Sequence, residues 1–238
     1  MCRSLQRWLF MRASPLCCMH TFISPLGYDT RRVTQPVVQT GLSPADEIVL
    51  VRPATESDSE RARQAIADVE QLLHQLEPEA TCTVERVTTA SFGETVMEWC
   101  DIVTTPDADR DVVVSLGGGA RDILLPLVTA TLLVAPRVDQ TLFYSDLDNS
   151  VQEWHLPALT SEIPDRATPT LGALINTDGW QTLSELAAAT DQSKSTVIRH
   201  VQDLTAAGLA ESRDAGKAKE VRPTLTGTLR WRARTLNE

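Results

Sequence analysis

Lysine is nearly missing from this chain: three of 238 residues, Lys194, Lys217 and Lys219, with every other basic residue an arginine. Aromatic residues make up only 5%. The longest apolar run, ILLPLVTATLLVA at 123–135, contains Pro126 and is too short to span a bilayer, so a buried helix is expected there and no membrane partner. The five cysteines, Cys2, Cys17, Cys18, Cys82 and Cys100, are odd in number and contain no C-x-x-C pair, which excludes a disulfide framework and the usual zinc signatures. His20, His74, His155 and His200 show no H-E-x-x-H spacing, so no metal site and no cofactor is expected.

The formal charge of −10 is unevenly spread. Residues 1–164 hold 12 Arg against 23 Asp and Glu, net −11, whereas residues 165–238 hold 10 Lys and Arg against 9 Asp and Glu, net +1. An acidic whole counts against nucleic-acid binding, because phosphate neutralisation supplies most of the non-specific affinity. Many acids, few lysines and abundant Ala, Thr and Val nevertheless resemble the proteins of salt-loving archaea, in which acidity reflects the host cytoplasm. On that reading the protein is cytoplasmic.

The near-neutral C-terminal part carries the most specific local signal, TLSELAAATDQSKSTVIRHVQDLTAAGLAE from Thr182 to Glu211. Thr182 and Glu185 form a T-x-x-E capping box at a helix start. Asp191 and Gln192 make a polar turn, Ser193 caps a second helix, and Val197, Val201 and Leu204 give that helix a buried face. Ser195, Arg199, Gln202 and Ala206 lie on the opposite face, where hydroxyl, guanidinium and amide groups suit phosphates and base edges. After Gly208, LAESRDAGKAKEVRPTLT reads as a hairpin with a polar tip. A helix-turn-helix followed by a hairpin resembles a winged helix. Its candidate DNA contacts are Gln192, Ser193, Lys194, Ser195, Thr196, Arg199 and Gln202, running from the turn and cap along the second helix. Arg213, Lys217, Lys219 and Arg222 are the candidates on the wing.

Upstream, strand-like and helical stretches alternate. Strands are expected at 20–27, 47–53, 81–87, 111–119, at QTLFYSD and at VQEWHLPAL. Helices are expected at 57–77, with Ala65, Val69, Leu72, Leu73 and Leu76 on one face, at 91–104, and after the fourth strand. The alternation predicts an α/β Rossmann-like domain with a mostly parallel sheet, covering 19–160. A linker at 161–169, marked by Pro164 and Pro169, then leads to a winged domain at 170–238. Residues 1–18 read as a disordered extension or a mis-assigned start, with Met19 the natural first residue.

Two glycine turns stand out. Gly117, Gly118 and Gly119 lie where the fourth strand gives way to a helix, followed by Ala120, Arg121 and Asp122. A helix N-terminus with glycine backbone and a nearby guanidinium suits an anion, but three glycines are equally explained by a tight turn. Without Lys-Ser/Thr the turn is no P-loop, and Asp122 stands where a dinucleotide fingerprint needs glycine. The first strand ends in Gly27, Tyr28 and Asp29, then Thr30, Arg31 and Arg32. If the first and fourth strands are neighbours, both turns face one crevice, with Tyr28 available to stack on a base and Arg31 or Arg32 to meet phosphate or simply be solvated.

The turn LGYDT, the motif SLGGGARDI and the C-terminal winged helix together resemble the CARF-domain (CRISPR-associated Rossmann fold) transcriptional regulators of archaeal CRISPR loci. The resemblance runs from Met19 to the C-terminus, with Ala120 standing where members often have Met. It implies a homodimer whose two-fold cleft receives a cyclic oligoadenylate, with cyclic tetra-adenylate the first candidate, and whose winged helices bind double-stranded promoter DNA. Carried over, the ligand residues are Gly27, Tyr28, Asp29, Ser115, Gly117, Gly118, Gly119, Arg121 and Asp122. Two other readings share the architecture. One is a ring nuclease cleaving the cyclic ligand, with Asp29 or Asp122 as base. The other is a regulator sensing a different metabolite. A regulator rather than an enzyme is the leading expectation.

Overall fold

The computed structural model describes residues 19–54, 59–216 and 218–236. The extension at 1–18 and Lys217 of the wing lie outside the described residues. The chain forms two compact units divided between Leu156 and Pro157.

The first unit is built on a six-stranded sheet. In chain order it holds β1 (Met19–Pro25), α1 (Arg31–Thr40), β2 (Glu47–Pro53), α2 (Glu60–Leu76), β3 (Thr81–Val87), α3 (Phe92–Thr104), β4 (Arg110–Ser115), α4 (Arg121–Leu133), β5 (Gln140–Ser145) and β6 (Ser150–Glu153). The strand order is β3-β2-β1-β4-β5-β6, parallel through β5, with β6 added antiparallel. The side-chain period of two sends alternate strand residues to opposite faces. Ile23, Val49, Val51, Val112 and Val114 pack with Trp99, Val96 and Val103 of α3 and Ile123 and Leu127 of α4. Phe22, Ile48, Leu50 and Val113 pack with Val33 and Val37 of α1 and Val69 and Leu73 of α2. Central β1, β2 and β4 are therefore apolar on both faces, as buried parallel strands must be.

Two expectations need correction here, and one helix is additional to them. Helix α1, not among the expected helices, holds Pro36 inside it, and Val33 and Val37, four apart, bury one face. On α2, Leu76 is exposed and Leu72 only half-buried, because the buried row runs Ala62, Ala65, Val69, Leu73. The last strand stops at Glu153, well short of 159, since it pairs only across the hairpin with β5.

The second unit contains α5 (Thr168–Ile175), β7 (Gln181–Thr182), α6 (Leu183–Thr190), α7 (Lys194–Ala206), β8 (Ala210–Ala215), β9 (Ala218–Pro223) and α8 (Leu225–Thr235), with strand order β7-β9-β8. Leu171, Leu174, Leu186, Val197, Val201, Leu204, Leu209 and Val221 form its core. The capping box is present in full: Thr182 Oγ1 accepts from the Glu185 N–H, and the Glu185 carboxylate accepts from the Thr182 N–H at 2.7 Å. Asp191 takes φ 51° at the end of α6, and Ser193 caps α7 by accepting from the Thr196 N–H.

The stretch 161–169, read as a linker, is partly ordered into this unit. Asp165–Ala167 forms a 3-10 turn, Ala167 is buried, and α5 begins at Thr168. Pro169 sits in the first turn of that helix, where its missing N–H is not needed, so it starts the helix and does not break it.

Candidate functional site

Strands β1 and β4 are hydrogen-bonded neighbours at the point where the strand order reverses, the usual ligand crevice of an open α/β sheet. Their two turns touch. A Cβ on Gly118 would overlap the Pro25 carbonyl oxygen, and one on Gly27 would lie 3.2 Å from the Gly119 nitrogen. Gly119 has φ 80°, a conformation that other L-residues rarely adopt. The glycines are thus required first by packing of the two strand ends.

A groove of 560 Å³ opens at this junction, lined by Gly27, Tyr28, Asp29, Arg32, Arg61 and Gly119. The residues expected at the site divide into three groups. Gly27, Tyr28, Asp29 and Gly119 line the groove. Ser115, Gly117 and Gly118 are buried behind it, and the Ser115 hydroxyl donates to the Arg32 carbonyl at 3.3 Å, bracing the turn and not facing a ligand. Arg121 and Asp122 are exposed on the first turn of α4, beyond the groove wall. That helix starts at Ala120, which provides no side-chain cap, so its first N–H groups meet no side chain there.

Charge at the groove is tightly organised. Arg31 donates to Asp29 through Nε at 3.2 Å and Nη2 at 3.4 Å. The hydrogen bond from Arg31 holds the Asp29 carboxyl below the usual carboxylate range, which makes it a poor proton acceptor. Arg32 reaches Asp146 at 2.6 Å, donates to the Gly117 carbonyl at 3.1 Å and lies 3.6 Å from Asp29. Arg61, from the first turn of α2, places its guanidinium 4.5 Å from the centroid of the Tyr28 ring. The sequence reading missed Arg61. Its only signal was a basic residue opening the helix that follows a neighbouring strand.

On the winged unit, Lys194, Ser195, Arg199 and Gln202 are exposed along α7, opposite the buried Val197, Val201 and Leu204. Ser193 and Thr196 are engaged in the cap, sharing a hydroxyl hydrogen bond of 2.8 Å. Gln192 is half-buried with its Oε1 enclosed, so this candidate contact turns inward.

The wing departs further from expectation. Arg213 pairs with Glu220 at 2.7 Å, Arg222 pairs with Glu211, and Lys219 stands opposite Asp214 in the strand register. Each described wing cation therefore faces an acid across the hairpin. Both arginines also lie over Trp180, at 4.2 and 4.7 Å from its centroid. On the buried face of α7, His200 shares a 2.9 Å hydrogen bond with Thr170, and burial lowers its pKa. Arg166 forks onto Asp203 at 2.7 and 2.8 Å.

Among the described residues no helix is long and apolar enough to cross a membrane, and no His, Cys, Asp and Glu cluster could hold a metal. The family model described as the Csa3 CRISPR-associated Rossmann-like domain matches residues 20–153. A MarR family model matches residues 161–219. No curated protein matches the chain. Among solved structures, the chain is similar to the MepR–DNA complex of Staphylococcus aureus, with 22% identity, 31% of this chain and 63% of that one covered, and a TM-score of 0.29. It is similar to free MepR, described as a transcription regulator of the multidrug efflux pump MepA, with 26% identity, 32% and 58% covered and a TM-score of 0.29. It is also similar to Enterococcus italicus Csm6 bound to cyclic hexa-2'-fluoro-hexa-dAMP, with 10% identity, 79% and 55% covered and a TM-score of 0.48. In each case the chain spans less than two thirds of the matched protein's length.

Proposed function

Since the chain belongs to the family of the Csa3 CRISPR-associated Rossmann-like domain, we propose that its Rossmann-like unit senses a cyclic oligoadenylate while its winged unit binds double-stranded promoter DNA. The architecture is that of a CRISPR-associated DNA-binding transcription regulator. The observation that carries the sensing reading is the junction of the β1 and β4 turns: within a part of the chain with net charge −11, the groove there is lined by Arg32 and Arg61 against one carboxylate, Asp29. Such local reversal of charge suits an anionic ligand. Cyclic tetra-adenylate is the first ligand to try.

The acting species is a homodimer in this reading. Support comes from the outer face of α3 and α4, where Phe92, Met97, Leu125 and Leu133 are 43% to 63% exposed on adjacent helices. An exposed apolar patch of this kind marks an interaction surface. Two winged units in one dimer call for a palindromic operator. Ligand binding changes DNA affinity only by its differential affinity for the two arrangements of the dimer.

The test is a thermal-shift and gel-shift titration of the full chain with cyclic tetra-adenylate at high salt. At a ligand concentration about a hundredfold above Kd the bound unit gains about 2.7 kcal/mol, a rise in its Tm of roughly 9 °C. An unmoved transition at saturating ligand sinks the sensing reading, and an unchanged operator complex sinks the coupling.

A further inference from the structure

We infer that Arg61 is a direct phosphate-binding residue of the crevice and that Tyr28 is the platform that holds it in place. The inference rests on the sensing reading above. Two cationic side chains line the groove, Arg32 and Arg61. Arg32 is saturated by the Gly117 carbonyl, Asp146 and Asp29. The nearby Arg31 is held by Asp29. Arg61 differs: among the described residues its guanidinium meets no carboxylate, and its recorded contact is with the Tyr28 ring.

That pairing has a chemical consequence. A guanidinium over an aromatic face is fixed by the ring quadrupole, yet all its N–H donors lie in its own plane and remain free for oxygen acceptors. The arrangement is a cation oriented in advance with its hydrogen bonds unspent. The ligand chemistry it fits is a phosphodiester oxygen, which a planar fork meets bidentately. Arg32 then acts as a positioning residue, tying α1 to the β4 turn through Gly117. It also follows that the Tyr28 face covered by Arg61 is closed to a stacked base, which revises the stacking role expected for Tyr28.

The experiment is fluorescence anisotropy of the full-length protein with labelled cyclic tetra-adenylate, with unlabelled adenosine 5′-monophosphate as competitor. Arg61→Ala is expected to weaken binding by about tenfold or more, the scale of a lost charge-assisted hydrogen bond. Arg61→Lys restores part of the affinity, because it returns the charge without the fork. Tyr28→Ala weakens binding, and combining it with Arg61→Ala costs less than the two separate losses together, because they share one interaction. Thermal transitions matched to the native protein show that the exposed Arg61 variants are folded. Native binding with Arg61→Ala within about twofold of it would overturn the assignment while leaving the sensing reading standing. Failure of the native protein to bind the probe overturns both. Competition by the monophosphate at equal affinity upholds Arg61 as a phosphate ligand and removes the cyclic ligand.

Discussion

The two units use arginine in opposite ways. At the crevice of the Rossmann-like unit, two arginines are matched to Asp29 and Asp146 while Arg61 rests on an aromatic ring. On the wing, Arg213 and Arg222 are both matched to glutamates across the hairpin, and both also rest on Trp180. Among the described residues, the acidic unit therefore presents Arg61 without a carboxylate, whereas each wing cation of the near-neutral unit faces an acid. Net charge per domain is a poor guide to where an anion is met; the pairing of each side chain decides it. On the winged unit, Lys194 and Arg199 are exposed on α7 and have no carboxylate partner among the described residues, so the proposed DNA contact is expected to rest more on α7 than on Arg213 and Arg222 of the wing.

The comparison is broken most forcefully through the backbone. Each unit contains a glycine whose added Cβ would overlap a backbone carbonyl: Gly118 against Pro25, and Gly227 of α8 against Leu209. Gly118→Ala and Gly227→Ala are each expected to cost about 3 kcal/mol, the scale of an overpacked core. Scanning calorimetry should show each change lowering a different transition. A single shared transition displaced by both would refute the independence of the units.

Next in size is DNA affinity. Arg199→Ala should weaken operator binding by about 1–3 kcal/mol in a gel-shift titration, while Arg213→Ala, whose charge Glu220 already offsets, should lose under about 1 kcal/mol. The reverse ranking would return the leading role to the wing.

A smaller effect is read by pH. Burial lowers the pKa of His200, so the unfolded chain binds its proton first as pH falls past the ordinary value of about 6.5. The stability that the neutral ring contributes is complete above that pH and is lost below it. Tm of the winged unit should decline on acidification, and the decline should flatten in His200→Gln. An identical slope in that variant would assign the effect elsewhere. Smallest of all, Arg166→Ala should leave the Tm of the winged unit nearly unchanged in a thermal melt, because its pair with Asp203 is formed at the surface and screened by solvent.

Local chemistry was legible in the sequence. The Thr182–Glu185 box, the Ser193 cap and the buried row on α7 each depend on residues within a turn or two of one another, so spacing alone reveals them. The strands β2 and β3 were equally plain, one by its apolar run and the other by its β-branched content. What escaped depends on partners brought together by the fold. Pairing of Arg213 with Glu220 requires the hairpin register, Trp180 reaches the wing only through β7, and Arg61 meets Tyr28 only because α2 follows the strand beside β1. Helix α1 escaped for a different reason: Pro36 is a breaker by local rule, and the burial of Val33 and Val37 outweighs that rule. The CARF resemblance carried the order of the two domains correctly, but it could not say which of its motif residues line the groove.

The fit of Gly118 beneath Pro25 bears on how such proteins are found. A signature built on the triple glycine selects for any chain in which two adjacent strand ends press backbone to backbone, whatever occupies the space above them. Diagnosis by that motif reports architecture. A query for chemistry would look instead for an aromatic residue after the first strand together with an arginine opening the helix after the second, two positions that no contiguous pattern can join.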